Sequence, residues 1–287
     1  FFGFGEQYNH QNFKGLNVPI LVREQGHTRG KQPPAAVISM VSPLVVGDWS
    51  TTYAPIPFTL RSNRSSIFLN NTEYSEFDLT QDDEASISVW SKRIKIQISK
   101  RDSYLELVSA FTKENGRPKP MDDWYHRGAI VGIMGGTDYV YAINKALQKR
   151  GAAVSSYWLQ DWVGTRETTL GTRLQWNWDL DQDRYPNFKK LVNDLNTQNI
   201  EVLGYINPFI SNIENISPDR QSLYDEYSKK KYFIKRSNGQ PYPTDSGGFS
   251  GSLIDFTNKK ARERTKELIK DMIKLGFKGW MADFGEA

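Results

Sequence analysis

The 287-residue sequence contains no cysteine, which excludes disulfides and thiolate-based metal or redox centres from this chain. Histidine is scarce, and His10, His27 and His126 show no metal-ligand spacing. No stretch approaches the roughly 18–20 apolar residues of a membrane span. No Gly-x-Gly-x-x-Gly or Gly-Lys-Ser/Thr signature marks a phosphate site, and nothing calls for a cofactor. Charge of one sign is not concentrated either: 37 Lys and Arg face 33 Asp and Glu, a net +4. The densest run, Lys229-Lys230-Lys231, reads as a solvated surface, so nucleic acid is not an expected partner. What the chain does have is aromatic residues, 8 Trp, 14 Tyr and 15 Phe. Such rings stack on the C–H faces of sugars, and they equally fill large β-rich cores. Composition leaves both readings open.

Patterning divides the chain in two. Up to residue 116 the signal is β. Ile94, Ile96 and Ile98 alternate with Lys95, Gln97 and Ser99, and Ile87 and Val89 with Ser86 and Ser88, the period of a half-buried strand. Pro33, Pro34, Pro43, Pro55 and Pro57 favour short or edge strands. An antiparallel β-sandwich is expected, closed by a helix over 102–114 that Asp102 or Ser103 can cap. Residues 117–127, opening on Arg117-Pro118-Lys119-Pro120, read as a linker. From 128 onward strands and helices alternate. Strands are expected at Gly128–Ile133, Val154–Leu159, Ile200–Ile206 and Phe277–Asp283. Helices are expected after a Thr137 cap, from about Pro186, and over Asn258–Leu275. Residues 211–252 are a long excursion with an Asn238-Gly239 turn. This alternation implies parallel strands with right-handed crossovers. An open doubly wound sheet and a (β/α)8 barrel both fit, and the barrel is preferred for want of a phosphate signature. Phe1 is not an initiator Met and the last expected strand ends at Asp283, so the chain reads as a fragment of a longer protein.

In barrels, function gathers at the C-terminal ends of the strands. That rule selects Met134-Gly135-Gly136, Gln160-Asp161-Trp162, Asn207-Pro208 and Asp283-Phe284-Gly285-Glu286. The last is richest in carboxylates, and glycosidases work with two acids, one ionised and one protonated. Spacing alone leaves a second reading for Asp283, a carboxylate capping the next helix.

The segment Trp280-Met281-Ala282-Asp283-Phe284-Gly285-Glu286 resembles the nucleophile motif of glycoside hydrolase family 31. The resemblance extends to Gly3-Phe4-Gly5-Glu6-Gln7, to Gly132-Ile133-Met134-Gly135-Gly136-Thr137, to Trp158-Leu159-Gln160-Asp161-Trp162 and to Gly204-Tyr205-Ile206-Asn207-Pro208. It is nearest to the family's bacterial sulfoquinovosidase branch. It implies a galactose-mutarotase-like β-sandwich over residues 1–116, followed over 128–287 by the first four strands of a (β/α)8 barrel. It implies a retaining α-glycoside hydrolase with Asp283 as nucleophile and Glu286 in support. The general acid is implied to lie after barrel strand 6, beyond residue 287.

The same branch implies the substrate, a small carbohydrate with a sulfonate on C6. Its signature of Gln, Arg and a Trp three residues after that Arg matches Gln160, Arg173 and Trp176. A guanidinium offers a rigid fork of donors, an indole N–H adds one, and the backbone N–H of Leu174 supplies a third contact. The alternatives are a surface ion pair of Arg173 with Glu167 or Asp179, and simple packing for Trp176. One position departs: Met134 stands where the branch has a polar Gln or Lys, so one sugar contact is expected to be lost. An α-glucosidase, an α-xylosidase or a non-catalytic sugar-binding relative are the competing readings.

Overall fold

The computed structural model describes residues 1–23, 28–29, 46–168, 171–213, 217, 219–245 and 249–285. Glu286, His27, Pro33, Pro34 and Pro43 lie outside the described residues. The chain forms two compact units, Phe1–Lys119 and Pro120–Gly285.

Among the described residues the first unit carries nine strands: β1 Phe2–Gly5, β2 Asn17–Ile20, β3 Thr28–Arg29, β4 Val46–Gly47, β5 Pro55–Arg61, β6 Ser65–Leu69, β7 Ser75–Asp78, β8 Ser86–Val89 and β9 Ile96–Lys100. They form antiparallel sheets in the orders β1-β5-β6-β9 and β2-β7-β8, with β3 and β4 as a short parallel pair. Phe4, Val18, Ile67, Leu69 and Phe77, from both sheets, share one buried cluster. Helix α1, Tyr104–Asn115, starts where the Ser103 hydroxyl accepts from the Glu106 N–H, the side-chain cap that satisfies one of a helix's free first-turn donors.

Two expectations are corrected here. The alternating isoleucines are not half-buried: Ile96 and Ile98 are 45% and 66% exposed. They share a face with buried Ile67 and Leu69, but on the edge strand β9. The helix instead covers the opposite face, where Phe111 stacks on Phe58. Nor do Pro55 and Pro57 lie on an edge strand, because β5 is interior. They fall before the β5–β6 register begins at Phe58, where the missing N–H groups cost no ladder bond on that side.

The second unit is built on a parallel sheet of β10 Ala129–Ile133, β11 Val154–Leu159, β14 Glu201–Ile206 and β18 Gly279–Ala282, in that order. A doubly wound sheet reverses strand order at a switch point. Here every parallel strand pairs with the next in sequence, which is barrel order. The crossovers carry α2 Gly136–Lys149, α3 Phe188–Asn196 and α5 Lys259–Leu275. The core joins Val140 of α2, Leu191 and Leu195 of α3, and Leu268 and Met272 of α5 to Tyr157, Val202 and Tyr205 of the strands.

Local chemistry sets the boundaries. Asn258 caps α5 and Gly276 ends it in the left-handed region. Thr137 does not cap α2. Gly135 occupies that place with φ 142°, and the Thr137 hydroxyl instead donates to the Pro186 carbonyl at 3.0 Å. The chain after β11 and the excursion after β14 carry more structure than sequence suggested. After β11 comes an antiparallel hairpin, β12 Thr165–Thr168 and β13 Gly171–Leu174. After β14 come β15 Phe209–Ser211, helix α4 Leu223–Lys229, β16 Pro243–Asp245 and β17 Ser250–Leu253, with sheet order β15-β17-β16. These insertions surround the C-terminal ends of the parallel strands.

Candidate active site

Tyr205 and Asn207 alternate along the end of β14 and share one face. Parallel pairing sets Tyr205 beside Met281 and Ile206 beside Ala282. The ladder continues one step further, with the Asp283 N–H donating to the Ile206 carbonyl at 3.0 Å. Asp283 is therefore held at the end of the fourth strand by backbone. Its side chain is held as well: the buried Tyr205 phenol donates to Asp283 Oδ2 at 2.6 Å and accepts from Asn207 Nδ2 at 3.2 Å. Oδ1 has no hydrogen-bond partner among the described residues. One carboxylate oxygen is thus anchored by the phenol.

The next residue joins this aspartate to the segment that follows β13. Phe284 has φ 59°, the left-handed region that side chains rarely adopt. Its ring meets Trp176 at 5.7 Å and Phe209 at 6.0 Å. Trp176 is 7% exposed. It stacks on Phe209 at 5.4 Å and meets Phe249 edge-on at 5.0 Å. Its backbone exchanges two hydrogen bonds with Ser211: Trp176 N–H to Oγ at 3.1 Å, and Ser211 N–H to the Trp176 carbonyl at 2.9 Å. Among the described residues the indole N–H has no hydrogen-bond partner.

Arg173 lies exposed on β13 and forms no ion pair among the described residues. Both proposed ion-pair partners are engaged elsewhere, Glu167 with the Thr172 hydroxyl at 2.8 Å and Asp179 with Arg220. Leu174 faces Thr165 across the hairpin, and the flanking pair Gln175–Gly164 carries a ladder bond, N–H to carbonyl at 3.0 Å. Because antiparallel pairs alternate, the Leu174 N–H points away from β12. Gln160 is half-buried at the end of β11. No hydrogen bond joins Gln160 or Arg173 to Asp283 among the described residues. Met134 ends β10 at 42% exposure.

Three residues that sequence reasoning passed over shape the site. Tyr205 was visible only as part of a motif, and its position two residues before Asn207 was the available signal. Asp161 is fully buried and accepts from the Gly135 N–H at 2.8 Å, from Arg184 and from the Tyr185 phenol, tying the loop after β10 to the loop after β11. Burial, then the Asp161 charge, pushes the Tyr185 phenol up, so it stays a donor. Arg166, on β12, is buried without a carboxylate partner among the described residues, and no sequence pattern announced it.

A cavity of about 760 Å³ reaches Asp283, Asn207 and Phe284 but is bounded by Arg262, Thr265 and Ile269 of α5, and by none of Gln160, Arg173 or Trp176. It opens on the helix side of β18. Asp255, the other carboxylate on it, is occupied in capping Thr257 through N–H and hydroxyl.

A sequential parallel sheet carrying an anchored aspartate at its fourth strand end is the frame of a barrel hydrolase. Residues 128–287 match the glycosyl hydrolases family 31 TIM-barrel domain, and the chain belongs to that family. It is similar to the sulfoquinovosidase of Agrobacterium fabrum, 34% identical over 286 residues, 99% of this chain and 42% of that protein. The Escherichia coli sulfoquinovosidase is 30% identical over 99% of this chain and 41% of that protein. Among solved structures, a family 31 sulfoquinovosidase from E. rectale in complex with the aza-sugar inhibitor IFGSQ superimposes with a TM-score of 0.91 at 34% identity, over 99% of this chain and 42% of that one. The chain thus spans about two-fifths of the length of these relatives. No helix among the described residues is long and apolar enough to cross a membrane.

Proposed function

We propose that this chain contributes the nucleophile and the sugar-recognition loops of a retaining α-glycoside hydrolase that cleaves α-sulfoquinovosides. The observation that carries the reading is Asp283, with Oδ2 held by Tyr205 and Oδ1 open, joined through Phe284 to the Trp176 ring. In this mechanism Oδ1 attacks the anomeric carbon as the glycosidic bond breaks. The leaving oxygen takes a proton from an acid supplied by chain beyond residue 287. Water then cleaves the glycosyl ester with that residue as base. A retaining pair places the two carboxyl groups about 5–5.5 Å apart. Glu286 supports the site.

Arg173, the Leu174 N–H and the Trp176 indole supply three donors from one loop, the set a sulfonate takes, and Gln160 serves sugar hydroxyls. The relatives named sulfoquinovosidases support this assignment. The organisation that goes with it is a β-sandwich over 1–116, a linker over 117–127 and the first four barrel strands over 128–287. Met134 favours a second reading, an α-glucosidase or α-xylosidase, because a thioether donates no hydrogen bond.

The test compares 4-nitrophenyl α-sulfoquinovoside with 4-nitrophenyl α-glucoside on the full-length protein. The sulfonated substrate is expected to be preferred. Arg173→Ala should cut its kcat/KM by roughly 30-fold to several thousand-fold, the effect of removing one partner of a desolvated charge pair. Preference for the glucoside, or equal loss on both substrates, refutes sulfonate reading and leaves the role of Asp283 standing.

A further inference from the structure

Arg166 and Arg173 stand directly opposite each other on β12 and β13, so both side chains leave the same face of the hairpin. Like charges in that relation destabilise a strand pair, and here no carboxylate relieves them among the described residues. Arg173 is exposed and water can screen it. Arg166 is 7% exposed. It donates to Ser211 Oγ at 2.5 Å and to the Asn212 carbonyl at 3.4 Å, and its buried Nε has no partner. Its guanidinium lies 4.4 Å from the centre of the Phe249 ring. Desolvation pushes its pKa down to about 10, which leaves it cationic at neutral pH.

The contrast with its neighbours is sharp. Arg184 pairs with Asp161, Arg220 with Asp179 and Asp181, and Arg264 with Glu226. A buried cation that lacks such a partner is a cost to folding, and it is concentrated at one place. Ser211 and Phe249, which hold Arg166, are the same residues that brace Trp176, by two backbone hydrogen bonds and an edge-on ring contact at 5.0 Å.

We propose that Arg166 is a specificity-positioning residue: it fixes Trp176 through Ser211 and Phe249 and adds an unneutralised positive charge behind Arg173, so that the site selects sugars bearing an anionic group. The inference rests on the sulfonate reading above and extends it to a residue that need not touch the substrate. A neutral substrate draws only on the packing role. An anionic one draws on packing and charge together.

The experiment measures the ratio of kcat/KM for 4-nitrophenyl α-sulfoquinovoside to that for 4-nitrophenyl α-glucoside on full-length wild type, Arg166→Lys, Arg166→Met and Arg173→Ala. The ratio is expected to fall in the order wild type, Lys, Met. Lysine keeps the charge without the fork that spans Ser211 and Asn212, and Met loses both. The Met variant should lose about 10- to 100-fold in the ratio, with KM for the sulfonated substrate carrying most of it. Equal loss on both substrates shows a structural arginine and overturns the proposal. If the Met variant does not fold, Arg166→Lys decides, and a ratio within twofold of wild type overturns it. If Arg173→Ala collapses the ratio while both Arg166 variants preserve it, only the Arg166 inference fails. If wild type itself prefers the glucoside, the sulfonate reading fails first.

Discussion

In the proposed mechanism the Asp283 carboxylate is the reagent and the Tyr205 phenol, bonded to its Oδ2, aims it. Asp283→Asn keeps the shape and removes the attacking charge, so turnover in the full-length protein should fall by several orders of magnitude, as expected when a covalent step is lost. Fluorosugar trapping followed by mass spectrometry should label the peptide containing Asp283. Tyr205→Phe removes the phenol's hydrogen bond to Oδ2 together with the one it accepts from Asn207. Its expected effect is smaller, about 10- to 100-fold in kcat, matching roughly 1.5–3 kcal/mol for a hydrogen bond to a charged group. A Tyr205→Phe enzyme with wild-type kcat would show that backbone alone orients the aspartate.

Between elements, two carboxylates, Asp161 buried and Glu226 half-buried, tie loops and helices together. Asp161 joins the loops after β10 and β11 through Gly135, Arg184 and Tyr185. Asp161→Asn leaves Arg184 without its counter-charge and should destabilise the protein by about 3–5 kcal/mol, the cost of breaking a buried pair from one side. A thermal melt unchanged within a degree or two would refute that role. Glu226 links α4 to α5, accepting from Arg264 at 2.9 and 3.2 Å and from Lys230 at 2.7 Å. Burial opposes its ionisation, but the hydrogen bonds from Arg264 and Lys230 outweigh it, so its pKa lies below the usual 4.5. A carboxyl depressed in the folded state stabilises fully above its unfolded pKa, and that stabilisation is lost as pH falls through the folded value. Glu226→Gln should therefore cost about 1–2 kcal/mol near pH 7, and the gap from wild type should close below pH 4.5. Melting curves at pH 7 and in acid distinguish this from a pH-independent packing loss.

For the whole molecule, a retaining mechanism needs a second carboxylate to protonate the leaving group. Asp255, beside the same cavity as Asp283, is committed to Thr257. The 287 residues by themselves should therefore show no turnover of either 4-nitrophenyl glycoside, while the full-length protein does. The second unit should nevertheless show amide-exchange protection at Tyr157, Val202 and Tyr205, whose side chains are 0%, 0% and 1% exposed. Turnover by the isolated chain close to that of the full-length protein would assign the acid to a residue within it.

Local patterns in the sequence determined the four parallel strands and three crossover helices after residue 128, a cap for α1 at Asp102 or Ser103, the Gly276 stop of α5, and the candidacy of Asp283 at a strand end. These are properties of neighbours a few residues apart, where period and capping chemistry act directly. The motif resemblance carried Gln160, Arg173, Leu174 and Trp176. Tertiary structure decided what depends on distant residues meeting. It set the sequential pairing that distinguishes barrel order from a doubly wound sheet, and it left the alternating isoleucines of β9 exposed on an edge strand. It formed the hairpin that opposes Arg166 and Arg173, and it brought Tyr205 to Asp283 across 78 positions. A buried arginine reads in sequence like any surface cation. Only the packed surroundings show that Arg166 has a serine, a carbonyl and an aromatic ring for company and, among the described residues, no carboxylate, because desolvation and counter-charge are set by the fold and not by the residue.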